Sequence, residues 1–475
     1  MIGQLHFRRD HQLKGMEQMS RLDPSSFTCI KIERCSSFKC CQLDLLPQVS
    51  TLTIEYCLNP ESLCIGERPV LALCHLTISH CPNLVSFPKG GLAAPYLTSL
   101  VLEGCSYLKS LPENMHSLLP SLWNLKLISL PEVDSFPEGG LPSQLETLCI
   151  VDCIKLKVCG LQALSSLSSF IFTGNDVESF DEETLPSTLT TLEIKRLGNL
   201  KSLDYKGLHH LTSLQRLSIE GCHKLESISE RALPSSLENL DLRNLESLDY
   251  MGLHHLTSLQ RLDIEDCPKL ESISEQALPS SLENIYLRNL ESLDYMGLRH
   301  LTSLRKLKIN SCPKLESFQE GTLPSSLENL EIWYLEDLEF KGFRHLTSLR
   351  QLYIWSSPKL ESVPGEKLPS SLEYLQISAM INLKSVIGLQ HLTSLQALFI
   401  SNCPKLESVP GEKLPSSLEC LQISAMINLK SVIGLQHLTS LRTLIISDCP
   451  KLESVPGKWE CLPLLWYWTS LFEVI

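Results

Sequence analysis

An open solenoid with one short parallel strand per turn is the fold class that this sequence predicts, and three observations predict it. Short phrases recur at a fixed period: Leu-Thr-Ser-Leu begins at Leu211, Leu256, Leu301, Leu346, Leu392 and Leu438, a spacing of 45 or 46 residues. A second phrase, Leu-Pro-Ser-Ser-Leu-Glu, begins between these at Leu233, Leu278, Leu323, Leu368 and Leu414, so each double unit is two turns of 22 or 23 residues. Within a turn the apolar residues follow L-x-x-L-x-L-x-x-C/L-x-x-L, the spacing of the leucine-rich-repeat class. Finally, aromatic residues are only 6% of the 475. A single globular core stops growing at roughly 250–300 residues, whereas stacked repeats buried on small aliphatic contacts have no such limit.

The elements follow from that register. The frame fits Phe27, Ile30, Ile32, Cys35 and Phe38, then Leu73, Leu76, Ile78, Cys81 and Leu84, then Leu97, Leu100, Leu102, Cys105 and Leu108, and it runs on to Leu441, Leu444, Ile446, Cys449 and Leu452. Residues 1–24 are assigned to an N-terminal remnant or partial cap. Residues 25–457 form an array of about 19 repeats of 22–25 residues, in double units from 211, and 458–475 form a C-terminal cap in which Trp459, Trp466, Tyr467 and Trp468 close over the last turn. Leu217 and Ile219 lie two apart and point to one face of a strand, while Ser218 points to the other. A parallel β-sheet therefore lines the concave face of a curved, α/β-type leucine-rich-repeat arc. On the convex side Pro358, Pro364 and Pro369 exclude helix interior. That side is expected to be irregular or polyproline-like, with room for a short 3-10 turn at Gly-Leu-His-His-Leu, residues 207–211. Ser235-Ser236-Leu237-Glu238 resembles a helix capping box, but the register makes Leu237 the first strand-side leucine and overrules it. Residues 358–395 and 404–441 differ only at Tyr374 against Cys420, so the array has grown by copying double units.

Cysteine is abundant, with 19 residues. Cys35, Cys57, Cys81, Cys105, Cys153, Cys222, Cys267, Cys312, Cys403 and Cys449 occupy one slot of the repeat, where the chain turns away from the strand. An odd total recurring at a ladder position reads as reduced thiols packed as small apolar residues, not as a disulfide framework or a metal-ligand set. The pairs His209-His210 and His254-His255 become Arg299-His300, Arg344-His345 and Gln390-His391 in neighbouring copies, so they are assigned to the rim. No catalytic, cofactor-binding or metal-ligating residue is assigned.

The net charge of -13 disfavours a grip on nucleic-acid phosphates or anionic membranes. No stretch reaches the ~18 apolar residues of a membrane span, and Met1 to Lys14 lacks the apolar core of a signal peptide. With no Asn-x-Ser/Thr acceptor in the chain, a cytoplasmic or nucleocytoplasmic address is expected. The residues pointing out of the sheet are charged on the middle turns, among them Arg243, Arg261, Asp263 and Glu265. They become aromatic further on. Tyr286, Arg288, Trp333, Tyr334, Tyr353, Trp355, Tyr374 and Phe399 form the expected binding set for a protein partner. Stacking of these rings on one another, contact with another domain, and drift after duplication are the competing explanations.

The phrases Cys-Pro-Lys-Leu-Glu-Ser (Cys267, Cys312, Cys403 and Cys449 onward), Leu-Pro-Ser-Ser-Leu-Glu, His80-Cys81-Pro82-Asn83-Leu84 and the run from Glu103 to Pro112 resemble the C-terminal repeats of plant disease-resistance proteins, specifically the coiled-coil nucleotide-binding leucine-rich-repeat (NLR) immune receptors. The resemblance covers roughly residues 25–457. It implies a non-enzymatic role in defence, recognition of a pathogen effector or of a guarded host protein. Such receptors carry a nucleotide-binding module ahead of the repeats, and this chain has no G-x-x-x-x-G-K-[S/T] loop. ADP or ATP is therefore expected only in that missing domain, and the chain is expected to be a fragment, a truncated product or a repeat-only relative. The alternative function is a substrate adaptor for a ubiquitin ligase or a generic protein-interaction scaffold.

Overall fold

A computed structural model describes residues 3–10, 12–14, 27–42, 47–60, 62–64, 69–174, 178, 184–203, 208–229, 231–248, 250–273, 277–293, 295–315, 318, 321–336, 338, 340 and 342–453. The chain divides into two compact units, Met1–Leu237 and Glu238–Ile475.

Among the described residues of the first unit, ten strands stack in chain order: Gly3–Arg8, Phe27–Glu33, Thr51–Glu55, His75–Ser79, Ser99–Glu103, Asn124–Ile128, Thr147–Val151, Ser169–Thr173, Thr191–Lys195 and Arg216–Glu220. Each is parallel to the next, and Leu52, Leu76, Leu100, Leu125 and Leu148 share one register row. The second unit repeats the arrangement with Asn239–Arg243, Arg261–Glu265, Asn284–Arg288, Lys306–Asn310, Asn329–Trp333, Gln351–Trp355, Tyr374–Ser378, Ala397–Ser401, Cys420–Ser424 and Thr443–Ser447. Its row runs from Leu240 through Leu262, Ile285, Leu307 and Leu330 to Leu352. These rows are buried. One turn cannot bury its leucines alone, so each aliphatic side chain, stabilising by about 1.5–3 kcal/mol when fully buried, does so only against the turns above and below it.

The two marker phrases are explained by one hydrogen bond. The second serine of Leu-Pro-Ser-Ser-Leu-Glu donates its hydroxyl to the carbonyl of the last leucine of the preceding Leu-Thr-Ser-Leu: Ser236 to Leu214 at 2.8 Å, Ser281 to Leu259 at 2.7 Å, Ser326 to Leu304 at 2.9 Å, Ser371 to Leu349 at 2.8 Å and Ser417 to Leu395 at 2.8 Å. A bend that would otherwise strand a buried carbonyl is satisfied by a side chain one turn away.

A second row lies just past the strands. The residue after each strand has a positive φ of 50 to 74°, although it is Tyr56, His80, Asp152, Tyr334 or Ala379 as readily as glycine. Left-handed backbone costs a non-glycine residue roughly 1–2 kcal/mol. Here it aims the amide at the next turn: Tyr56 donates to the Ser79 carbonyl at 2.9 Å, Asp152 to Thr173 at 3.0 Å and Tyr334 to Trp355 at 2.8 Å.

The opposite side is irregular, as the prolines require. Short 3-10 turns at Leu161–Ala163, Gly365–Lys367, Leu389–His391, Gly411–Lys413 and Leu435–His437 carry the chain back. The short strands Ser362–Pro364 and Ser385–Ile387 pair there in parallel.

One boundary needs correction. Residues 1–24 are not merely a remnant, because Gly3–Arg8 is a rung of the sheet, with Leu5 beside Ile30 and Phe7 beside Ile32. The repeat hides there because Asp10 stands where later turns place cysteine. The expected cap residues Trp459, Trp466, Tyr467 and Trp468 lie outside the described residues.

Candidate protein-binding face

In the second unit the first, third and fifth residues of each strand point away from the leucine rows, as the alternating burial shows. The sheet's register decides which of these side chains meet. Trp333 and Trp355, opposite one another on adjacent strands, stack with centroids 5.4 Å apart and planes 12° from parallel. Tyr353 lies 4.9 Å from Tyr374, and Tyr374 lies 4.9 Å from Phe399 at 26°. Five of the sequence-nominated residues thus form two stacks spread over four adjacent strands, all half-buried. The Tyr374 hydroxyl and the Gln376 side-chain oxygen are 3.1 Å apart. Burial pushes the Tyr353 and Tyr374 phenols up from their ordinary value. One polar group is left over: the Trp333 indole Nε1 is buried without a partner. A buried N–H left unpaired costs about 1–3 kcal/mol.

The remaining nominated residues fall elsewhere. Tyr334 sits one residue past its strand at φ 54°, half of its surface exposed, on the rim and not in the stacks. Tyr286 belongs to an ionic cluster: the Arg261 guanidinium lies 4.5 Å above its ring and the Lys306 ammonium 5.8 Å from it. Arg288, exposed, pairs with Glu265 at 2.8 Å. Arg261, Glu265, Tyr286 and Arg288, with Arg243, Asp263 and Lys308, line an open recess of about 300 Å³.

Sequence reasoning missed Lys306, Lys308 and Glu331. Each holds a first or third strand position, so the repeat register was signal enough to find them. Lys306 pairs with Glu331 at 2.7 Å and Lys308 at 3.3 Å. Burial is the largest single influence on Lys306 and opposes its charge, but the hydrogen bond to Glu331 and the nearby Glu331, Tyr286 and Tyr353 charges together outweigh it, and its pKa is raised. Lys308 also places its ammonium 4.7 Å from the Trp333 ring, so it touches both the recess and the aromatic stack.

The cysteine slot is built from the backbone. From Cys35 to Cys449 each ladder thiol approaches the carbonyl two residues earlier, at 3.2 to 3.7 Å. Cys57, Cys81, Cys105 and Cys153 also reach a carbonyl of the preceding turn, at 3.5 to 4.0 Å. Burial pushes the Cys81 and Cys267 thiols up to about 12, and those of Cys57, Cys105, Cys153, Cys222, Cys312 and Cys403 to about 11. Protonated and enclosed, these thiols are packing groups and weak donors. The rim histidines serve the backbone too: Nε2 lies 3.2 Å from the Leu185 carbonyl at His210, 2.9 Å from Leu278 at His300 and 2.9 Å from Leu323 at His345.

Parallel rungs one turn apart, with buried leucines in register, define a leucine-rich-repeat protein. No family profile matches the chain. The solved structure of CroV588, a circular leucine-rich-repeat protein, shares the fold at a TM-score of 0.50 and 16% identity, covering 94% of this chain and 76% of that one. In sequence the chain is similar to plant disease-resistance proteins. It is 39% identical over 210 residues to a putative disease resistance protein of Arabidopsis thaliana, and 31% identical over 209 residues to the disease resistance protein RPS4B of the same plant. Those matches cover 42% and 43% of this chain but only 15% and 17% of the two relatives. Among the described residues no helix is long and apolar enough to cross a membrane.

Proposed function

We propose that this chain is a protein-recognition region of a plant intracellular defence receptor, and that it binds a pathogen effector or a guarded host protein on the sheet face of its second unit. The observation that carries the reading is the run of Trp333, Tyr353, Trp355, Tyr374 and Phe399 across four adjacent strands. In a chain whose residues are only 6% aromatic, two neighbouring stacks of half-buried rings offer the large, rigid contact area on which hot spots are built. Similarity to disease-resistance proteins supplies the defence context. The role is binding and not catalysis, because an open sheet offers no cleft closed from water in which acid–base groups could act. A cytoplasmic location agrees with a ladder of thiols set apart by a full turn.

The test is Trp333→Ala combined with Trp355→Ala. Wild type and variant are cross-linked to extracts of infected plant tissue, and the captured proteins are identified by mass spectrometry. The variant should lose the specific captures while giving up only about 1 kcal/mol of stability. Retained capture by a protein that unfolds early would assign the rings to packing and end the proposal.

A further inference from the structure

We infer that the ligand of this face is an extended protein segment that presents a carboxylate side chain four residues from a bulky apolar one. This rests on the partner-binding reading of the aromatic stack and adds to it the chemistry of the recess beside the stack.

The charges of the recess come first. Its lining holds four cations, Arg243, Arg261, Arg288 and Lys308, and two carboxylates, Asp263 and Glu265, while Asp241 and Glu331 pair with Arg243 and Lys308 from just outside it. The four cations are not equally available. Arg261 is clamped onto Asp263 through both Nε and Nη2, with Tyr286 against its guanidinium, and forms a wall. Arg243 reaches Asp241 through Nε alone at 2.8 Å, and Arg288 reaches Glu265 through Nη1 at 2.8 Å. A guanidinium has five N–H donors, so both the half-buried Arg243 and the exposed Arg288 can take a further acceptor. A carboxylate matches the planar fork that each presents.

Register sets the distance to the apolar subsite. Arg288, Asn310, Trp333 and Trp355 form one outward column on successive strands. At about 4.8 Å per strand, Trp333 stands ~10 Å and Trp355 ~14 Å from Arg288 along the column. An extended chain laid across the strands advances ~3.3 Å per residue and turns alternate side chains to the same face, so a residue four positions from the carboxylate faces the sheet ~13 Å away, at Trp355. Lys308 joins the two subsites, since it lines the recess and lies over Trp333. Beyond the stack the column turns to Ser378 and Ser401, whose hydroxyls bond to each other at 2.8 Å, so charge recognition is offered on one side only.

The experiment measures fluorescence anisotropy of labelled ten-residue peptides, Ala/Ser in background, with one Glu and one Phe separated by one to seven residues, against the full chain. Binding should peak at a separation of four and be weaker at three, where the two side chains lie on opposite faces of an extended peptide. It should fall at least tenfold when Glu is replaced by Lys, and weaken with added salt. Arg288→Glu should invert the preference toward the Lys peptides, and Trp355→Ala should remove the dependence on Phe. A flat response to spacing overturns the inference, as does a peak at seven, the spacing of a helical ligand. So does binding seen only when phosphoserine replaces Glu. If no peptide binds yet the Trp333/Trp355 variant still abolishes protein capture, the ligand assignment alone fails. Persistence of capture in that variant removes the face itself.

Discussion

Asp152 and Arg196 form an ion pair, 3.0 Å between Oδ2 and Nη2, across an entire intervening turn of the chain. The residue between them in the left-handed row is Gly174, at φ 74°. A Cβ there would stand 2.4 Å from Oδ1 of Asp152. The absent side chain is what lets the two charges meet.

Gly174→Ala should therefore lower stability twice over, through left-handed strain of roughly 1–2 kcal/mol and through loss of an exposed ion pair worth at most about 1 kcal/mol. A urea titration should show a loss of about 2 kcal/mol, and Arg196→Ala alone a loss below 1 kcal/mol. In the double variant the two effects should not add. Full additivity would show that the glycine serves only the backbone.

Ser357 stands in the cysteine slot, fully buried, with its hydroxyl unpaired and its amide 3.3 Å from the Met380 sulfur. Ser357→Ala removes a stranded polar group and should stabilise by about 1 kcal/mol. Ser357→Cys should do at least as well, because a cysteine at this point has the carbonyl two residues earlier within reach, as its ladder neighbours do. The urea midpoint should rise with its slope unchanged. A fall would mean that the hydroxyl has a partner in solution.

Leucine spacing alone located the strands: the turn read as Leu214, Leu217, Ile219 and Cys222 holds the strand Arg216–Glu220, with Leu217 and Ile219 on one face. Burial of alternate residues leaves a strong trace in sequence because only aliphatic side chains fit the rows. The left-handed row left a weaker one, the scattered Gly, Asn and Asp of Gly104, Asp152, Gly174, Asn244, Asp266 and Asn289. It asks for an amide and not a side chain, so Tyr56, His80, Asp152 and Ala379 all serve, and no shared residue type marks it. For the same reason Tyr334 was grouped with the face although it belongs to this row. The candidate site was legible as a set of aromatics, but which rings touch depends on register between strands. Only the structure separates Tyr286, held between cations, from the Trp333–Trp355 stack.

The buried thiols give the fold a pH limit. In the unfolded chain they titrate near 9, and in the folded chain at about 11 to 12. Below pH 9 both states hold the proton and the ladder contributes fully. Above it the unfolded state releases protons that the folded state retains, so stability falls as pH rises through 11 to 12. Unfolding free energies at pH 8 and pH 10.5 should differ accordingly, and a flat profile would contradict the burial. Iodoacetamide at pH 8 should alkylate the exposed Cys159 while sparing Cys81 and Cys267.

The duplicated double unit supplies the last prediction. Tyr374 occupies the first position of its strand, between Tyr353 and Phe399 at the third positions of the strands on either side. Cys420 holds the equivalent place one double unit later, beside the strand that carries Phe399. The partner of the Tyr374 hydroxyl, Gln376, has its counterpart in Gln422, also two residues on. Cys420→Tyr should therefore lay a further ring against Phe399, as Tyr374 lies against Tyr353, stabilising by about 0.5–1.5 kcal/mol and strengthening the near-ultraviolet circular dichroism of the stacked aromatics. The reverse change, Tyr374→Cys, severs both of its ring contacts and should cost about 1–3 kcal/mol, with a loss of partner capture. If capture were unchanged while stability fell, these rings would be packing groups, and the binding surface would have to be sought in the charged recess alone.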